Sequence, residues 1–198
     1  MNLPNKLTLS RFALTVAFLV AMFSRMPYHE SIALALFVAA GISDFLDGQI
    51  ARRRNLITNF GILMDPLADK IMVCSAFIAF VELKWFAAWM AVIVVARELA
   101  ITGLRLLAAS KNVVLAAERY GKHKTISQIV AVIAIFVDQI IQQNQWGSIG
   151  QLIFGWSVFG HAWVWWLAEI FKWLSVALTF ISGWLYLWKN RALYLDDM

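Results

Sequence analysis

The sequence is short of charge and has a single cysteine, and both shortages limit what the protein can be. Charged residues make up 15% of the 198 residues, against about 25% in an ordinary soluble chain. Hydrophobic residues make up 62% and occur in runs of membrane-spanning length. The one cysteine, Cys74, excludes an intramolecular disulfide. We therefore expect an all-α integral membrane protein, with residues 1–198 forming a single domain.

Six apolar segments fit membrane-spanning helices, at residues 8–24, 31–53, 61–81, 85–109, 124–142 and 161–188. Lysine and arginine gather in alternate connections, and neither occurs between Asn144 and His161. By the positive-inside rule, this bias places both termini in the cytoplasm. The net charge of +5 then reflects topology and attraction to anionic lipids, so we expect membrane lipids and no nucleic acid as partners.

Four of the twelve acidic residues lie within residues 44–69, on the second and third predicted spans. Asp44 and Asp47 are three residues apart and Asp65 and Asp69 are four apart, so each pair shares a helix face. Because the link between the helices is short, they must be antiparallel neighbours with opposed acidic faces. This predicts a six-helix transmembrane bundle with a cytoplasm-facing polar cavity.

The four carboxylates need neutralising, because four unpaired ones inside a membrane would cost on the order of 10 kcal/mol. Arginine pairing within residues 52–54 is one solution. Oxygen ligands converging from two helices are also what Mg²⁺, Mn²⁺ or Ca²⁺ prefers, and no His or Cys accompanies them to suggest zinc. We favour two divalent ions. Gly48 and Gly61, on the same two helices, would let a phosphate-bearing ligand approach the backbone.

A second set of charges lies on the predicted cytoplasmic side and consists of Arg97, Arg105, Lys122 and Lys124. An arginine inside an apolar run, as Arg97 is in VIVVARELAITGLRLL, indicates a function. Glu98 and Arg105 are seven residues apart on one face, so we expect them to pair and leave Arg97 free to meet an anion. The four cations are predicted to bind a phosphate-bearing acceptor.

Residues 44–69 resemble the signature of the CDP-alcohol phosphatidyltransferase family, D-x2-D-G-x2-A-R-x8-G-x3-D-x3-D, at every fixed position. The flanking segments NLPNKLTLSR, ARELAITGLR and GKHKT resemble the bacterial branch that makes phosphatidylglycerophosphate. The resemblance implies transfer of a phosphatidyl group from CDP-diacylglycerol to glycerol 3-phosphate, with release of CMP. It also implies a homodimer in the bacterial inner membrane with its active site facing the cytoplasm, although a mitochondrial or plastid enzyme would look alike.

The resemblance assigns roles to individual residues. It implies two Mg²⁺ or Mn²⁺ ions on Asp44, Asp47, Asp65 and Asp69, with Asp69 as the general base. The CDP-lipid would be bound by Gly48, Ala51, Arg52 and Gly61, with further contacts from Asn5 and Thr8. Independently of the resemblance, we assign the acceptor phosphate to the four cations Arg97, Arg105, Lys122 and Lys124.

Two alternatives stay open. The acceptor of the same chemistry could be phosphatidylglycerol, as in a cardiolipin synthase, or an inositol phosphate, as in a phosphatidylinositol phosphate synthase. Four intramembrane acids could instead form the ion site of a divalent-cation transporter. The transporter reading leaves Gly48, Arg52 and the fixed spacing of the motif unexplained.

Overall fold

Helices dominate the protein in the computed structural model, which describes residues 3–54, 59–111, 113, 115 and 120–195. Within these ranges, the side chains of residues 3–8, 44–54, 59–66, 68–69, 120, 122, 192 and 195 lie outside the description. The elements are α1 (Leu3–Phe23), α2 (His29–Arg54), α3 (Asn59–Glu82), α4 (Ala88–Ser110), α5 (Tyr120–Gln142), α6 (Gly147–Phe154), β1 (Ser157–Val158), β2 (His161–Ala162), α7 (Trp163–Lys189) and α8 (Ala192–Leu195).

The six long helices α1–α5 and α7 occupy the six predicted segments, within five residues at each end. This confirms the prediction of a helical architecture. In the described part of the chain, two stretches are long and apolar enough to cross a membrane, His123–Gln142 and Trp163–Lys189. Leu9–Phe23 and His29–Ser43 are shorter apolar stretches. The sequence interpretation missed α6, α8 and the β1–β2 hairpin.

Helix α5 is the central element of the bundle. It lies along α7 and also contacts α2 and α3, while α1 packs against α2 and α3, and α4 packs against α3 and α7. Nearly every residue of α5 from Ala131 to Ile141 is buried. A helix that is apolar on all sides is one surrounded by other elements. By contrast, α7 exposes many of its large apolar side chains, as a helix facing lipid does.

An aromatic layer, formed by Phe18, Phe37, Phe80 and Phe136, joins α1, α2, α3 and α5. All four rings are at most 5% exposed. The Phe80 and Phe136 centroids lie 5.0 Å apart in an edge-to-face arrangement, and Phe18 lies 6.1 Å from Phe136. Such pairs add stability beyond the area that they bury. The layer lies two or more turns along these helices from Asp44 and Asp69, so it occupies the opposite half of the bundle.

Beyond the aromatic layer lie the helix connections at residues 24–28, 83–87 and 143–162. We call this part of the molecule the aromatic end of the bundle. Helices α3 and α5 both stop at a residue in the left-handed conformation, Lys84 (φ 63°) and Asn144 (φ 54°). The following amide reaches back to close each helix, as in the Schellman motif. The buried Glu30 accepts hydrogen bonds from the side chains of Gln143 and Gln145, which ties α2 to the end of α5.

Candidate functional site

The predicted motif residues lie on helices that contact one another. Asp44 and Asp47 belong to α2, and Asp65 and Asp69 belong to α3, which touches α2. The remaining predicted CDP-lipid contacts are distributed over α1 (Asn5, Thr8), α2 (Gly48, Ala51, Arg52) and α3 (Gly61). The side chains of all ten residues lie outside the described part of the structure. Their roles stay predictions, and the fold supplies only their positions on adjacent helices.

A cavity of about 570 Å³ lies beside these helix segments. Its wall on α2 runs from Phe37 to Ile42, just before Asp44, and its wall on α3 begins at Lys70, directly after Asp69. Most lining residues are apolar, and the polar ones are Arg11, Lys70, Glu98, Lys124, Thr125 and Gln128. The cavity therefore combines an apolar wall with a charged region next to the predicted metal ligands.

Glu98 is the centre of the charged region. Its side chain is 6% exposed and it contacts cations from three helices. Lys124 of α5, itself 4% exposed, donates a hydrogen bond to Glu98 Oε1. Arg97 Nη1 lies 3.4 Å from the same oxygen, and Lys70 Nζ of α3 lies 3.8 Å from Glu98 Oε2. A buried carboxylate needs such partners, because an unpaired charge is very costly to desolvate.

This cluster has an excess of positive charge. Among the described side chains, three cations surround one carboxylate, which leaves two positive charges when all four groups are ionised. Two of the cations, Lys70 and Lys124, line the cavity directly. Lys70 also donates a hydrogen bond to Thr102 Oγ1, which fixes its position against α4. A phosphate monoester carries about −1.5 to −2 charges at neutral pH, so the region is chemically suited to bind one.

The structure separates the four predicted acceptor-binding cations. Lys124 lines the cavity. Arg97 does not line it and lies beside Glu98. Arg105 points elsewhere: its Nε lies 3.4 Å from the Tyr186 hydroxyl, and its guanidinium carbon lies 5.8 Å from the centre of that ring. The side chain of Lys122 lies outside the described part of the structure.

The expected pairing of Glu98 with Arg105, and a free Arg97, are both wrong. Seven residues of helix separate the two α-carbons by about 10 Å along the axis. Cations at the level of Glu98 on neighbouring helices, Lys70 and Lys124, take that place instead. Arg97 also contacts Glu98, and its stem packs against α7 at Gly183, where a methyl group would lie 2.7 Å from Arg97 Cγ.

Sequence reasoning missed five polar residues of the cavity as site residues, namely Arg11, Lys70, Glu98, Thr125 and Gln128. Arg11 and Gln128 are buried, and Gln128 donates a 3.0 Å hydrogen bond to Thr179 of α7. Arg11 and Lys70 both lie inside predicted spans, where a charged residue is expensive enough to indicate a function. The same signal that identified Arg97 could therefore have identified these two.

Comparison with known proteins gives a consistent result. Residues 1–181 match the family model described as CDP-alcohol phosphatidyltransferase. A Bacillus subtilis protein named CDP-diacylglycerol--glycerol-3-phosphate 3-phosphatidyltransferase is 38% identical over 96% of this chain and 95% of its own. Proteins of the same name from Rickettsia bellii and Mycoplasma pneumoniae are 32% and 33% identical, over 93% and 79% of this chain and 93% and 77% of their own lengths.

Proposed function

The chain belongs to the CDP-alcohol phosphatidyltransferase family, and we propose that it transfers the phosphatidyl group of CDP-diacylglycerol to glycerol 3-phosphate, giving phosphatidylglycerophosphate and CMP. The observation that carries this function is the similarity to enzymes named for that reaction over nearly the whole chain. It covers the motif and the flanking segments alike. The protein is thus a mostly helical membrane enzyme of phospholipid biosynthesis.

An acceptor panel tests the proposed function. Purified protein in detergent, supplied with CDP-diacylglycerol, should release CMP with glycerol 3-phosphate. It should release little with phosphatidylglycerol or inositol phosphate, the acceptors of the alternative family activities. Divalent-cation flux into liposomes in the absence of nucleotide would favour the transporter reading. A preference for an acceptor other than glycerol 3-phosphate would move the enzyme to a different branch of its family.

The residues present suit two divalent cations. The donors are all carboxylates, they come in pairs on two adjacent helices, and hard oxygen ligands are those that Mg²⁺ and Mn²⁺ prefer. Asp44, Asp47, Asp65 and Asp69 would hold the ions. When bound, the ions supply positive charge that binds the pyrophosphate of the CDP-lipid and stabilises the charge developing on it.

The chemical step then needs a base and a position for each substrate. Asp69 takes the proton of the glycerol 3-phosphate hydroxyl as its oxygen bonds to the β-phosphorus, while the bond from that phosphorus to the CMP oxygen breaks. Gly48, Ala51 and Arg52 on α2, with Gly61 on α3, hold the cytidine diphosphate group. Asn5 and Thr8 of α1 contact the nucleotide. Helices α2 and α3, which carry most of these residues, both border the cavity, and this supports the arrangement.

The phosphate of the acceptor binds in the charged region of the cavity. Lys124 and Lys70 line the cavity, and Arg97 adds a third positive charge from behind Glu98. Lys122 and Arg105 add positive potential from the same end of the bundle. Lys122 lies two residues before Lys124 on α5, and Arg105 lies on α4 seven residues after Glu98. Attraction to a dianion would favour glycerol 3-phosphate over uncharged alcohols.

Replacing Lys124 by methionine tests this acceptor site. We expect the KM for glycerol 3-phosphate to rise about tenfold or more, because one charge-assisted hydrogen bond to its phosphate is lost. The KM for CDP-diacylglycerol should change little. Arg105→Ala should also raise the acceptor KM selectively, but less, because the Arg105 guanidinium contacts Tyr186 rather than the cavity. Steady-state kinetics with each substrate varied in turn measures both effects.

Lys172→Met is the matched control for Lys124→Met. Lys172 is likewise a lysine in an ion pair, with Glu169 of α7, but its side chain is 17% exposed and it does not line the cavity. The control should leave both KM values near those of the unaltered protein. Equal rises in the KM for both substrates in Lys124→Met would reject the assignment of the acceptor site.

The same enzyme is proposed to be a six-span homodimer of the bacterial inner membrane, with both termini and the cavity on the cytoplasmic side. The six long helices have 21 to 27 residues, and about 20 are needed to cross a bilayer. The alternation of basic connections supports this orientation. The bacterial relatives named above support the location.

A further inference from the structure

The segment that connects α5 to α7, residues 143–162, has an unusual composition and surface. It contains no Asp, Glu, Lys or Arg. Large apolar side chains on α6, on the hairpin and between them are nonetheless exposed: Ile149 by 73%, Leu152 by 72%, Ile153 by 55%, Trp156 by 72% and Phe159 by 90%. Contiguous exposed apolar side chains on one element mark a surface for contact with a membrane or a partner.

This segment is held firmly on the bundle. The Gln151 side chain donates a 2.8 Å hydrogen bond to the carbonyl of Ile141 near the end of α5. From α7, the indole of Trp163 donates to the carbonyl of Ile153 and the indole of Trp166 donates to the carbonyl of Val158. Each of the two pieces, α6 and the hairpin, is therefore tied to a membrane-length helix, so its apolar side chains are presented in a fixed direction.

The hairpin turn adds an independent observation. Strands β1 and β2 pair in antiparallel register, and the turn between them consists of Phe159 and Gly160 with φ angles of 48° and 85°. Two-residue turns with both φ angles positive favour Asn-Gly, and a bulky residue is uncommon at the first position. Here the strained position carries a phenylalanine whose ring is 90% exposed. Such strain, kept at one exposed residue, points to a function for that ring.

We propose that α6 and the hairpin tip insert into the head-group region of the lipid bilayer that surrounds the helix bundle. The segment begins directly after one membrane-length helix, at Gln142, and ends directly before the other, at Trp163, so it lies at the level of the membrane surface. Aromatic rings are favoured at that level and an uncharged apolar surface can enter it without desolvating an ion. The occupant of the surface is lipid, and not a second protein.

Site-specific fluorescence tests this. In a Cys74→Ser background, Phe159→Cys is labelled with an environment-sensitive fluorophore, and the protein is placed in nanodiscs of phosphatidylcholine and phosphatidylglycerol. We expect a blue-shifted emission compared with a water-exposed label. We also expect strong quenching by lipids that carry a nitroxide near the head group, and weaker quenching by lipids with the nitroxide at the end of the acyl chain.

Arg25→Cys is the matched control, because Arg25 is exposed in the α1–α2 turn at the same aromatic end. Its label should be more water-like, and less quenched by either lipid, than the label at residue 159. Leu152→Cys on α6 provides a second reporter if Phe159→Cys does not give monodisperse protein. A water-like, unquenched label on the segment overturns the proposal. A blue-shifted label that no lipid nitroxide quenches also overturns it, since protein would then cover the segment.

Discussion

Replacing Asp69 by asparagine should lower kcat for CMP release by about a thousandfold, within the range of about 10² to 10⁴ that general-base catalysis contributes. Asparagine keeps the size of the side chain but cannot accept the proton of the attacking hydroxyl. The position of this turn of α3 supports the expectation, because the next residue, Lys70, lines the cavity and lies 3.8 Å from Glu98. The base and the acceptor site are therefore one residue apart in the chain.

Asp138→Asn is the matched control for Asp69→Asn. Asp138 is a buried aspartate on α5, at the aromatic end, where its Oδ2 accepts a 2.8 Å hydrogen bond from Gln142. The control variant should keep most of its activity. Size-exclusion chromatography in detergent checks that both proteins fold. A kcat for Asp69→Asn within tenfold of the unaltered enzyme would show that another group serves as the base.

Removing divalent cations should abolish CMP release, and adding Mg²⁺ or Mn²⁺ should restore it. Four carboxylates on two adjoining helices repel one another, so ions that bind them contribute to stability as well as to the reaction. We therefore expect the chelated protein also to have a lower Tm. Activity and thermal unfolding, each measured with excess EDTA and then with each metal added back, check the two effects together.

A variant separates metal binding from a general salt effect. Asp44→Asn combined with Asp65→Asn removes one predicted ligand from each helix, and its Tm should no longer rise when Mg²⁺ is added. The unaltered protein should show the full rise. Undiminished turnover in excess chelator would remove the metal ions from the mechanism, and with them the explanation for the four carboxylates.

The long helices could be predicted because a membrane leaves few alternatives. A run of about twenty apolar residues must satisfy its backbone polar groups internally, so it becomes a helix wherever it lies. Helix α6 and the hairpin could not be found in the same way. Eight residues and two strands of two residues are too short for hydrophobic periodicity to distinguish helix, strand and loop.

The charged region shows a second limit of sequence reasoning. Spacing along one helix predicts that Glu98 pairs with Arg105, since they share a face. The partners found, Lys70 and Lys124, come from other helices and are 28 and 26 residues away in the sequence. Only the tertiary packing of the bundle, in which α3 contacts both α4 and α5, brings them together. The spacing of the motif, by contrast, was sufficient to identify the family, because its chemistry fixes residue types at set intervals.

The aromatic layer affects whether ions and small polar molecules can cross the membrane through the bundle. Phe18, Phe37, Phe80 and Phe136 pack against one another across α1, α2, α3 and α5 as a layer of buried apolar rings behind the cavity. A hydrated ion or a free nucleotide would have to shed its water to pass them, at great energetic cost. We therefore expect glycerol 3-phosphate and CMP to enter and leave on the cavity side of this layer, and we expect the bundle not to conduct ions while it catalyses the reaction.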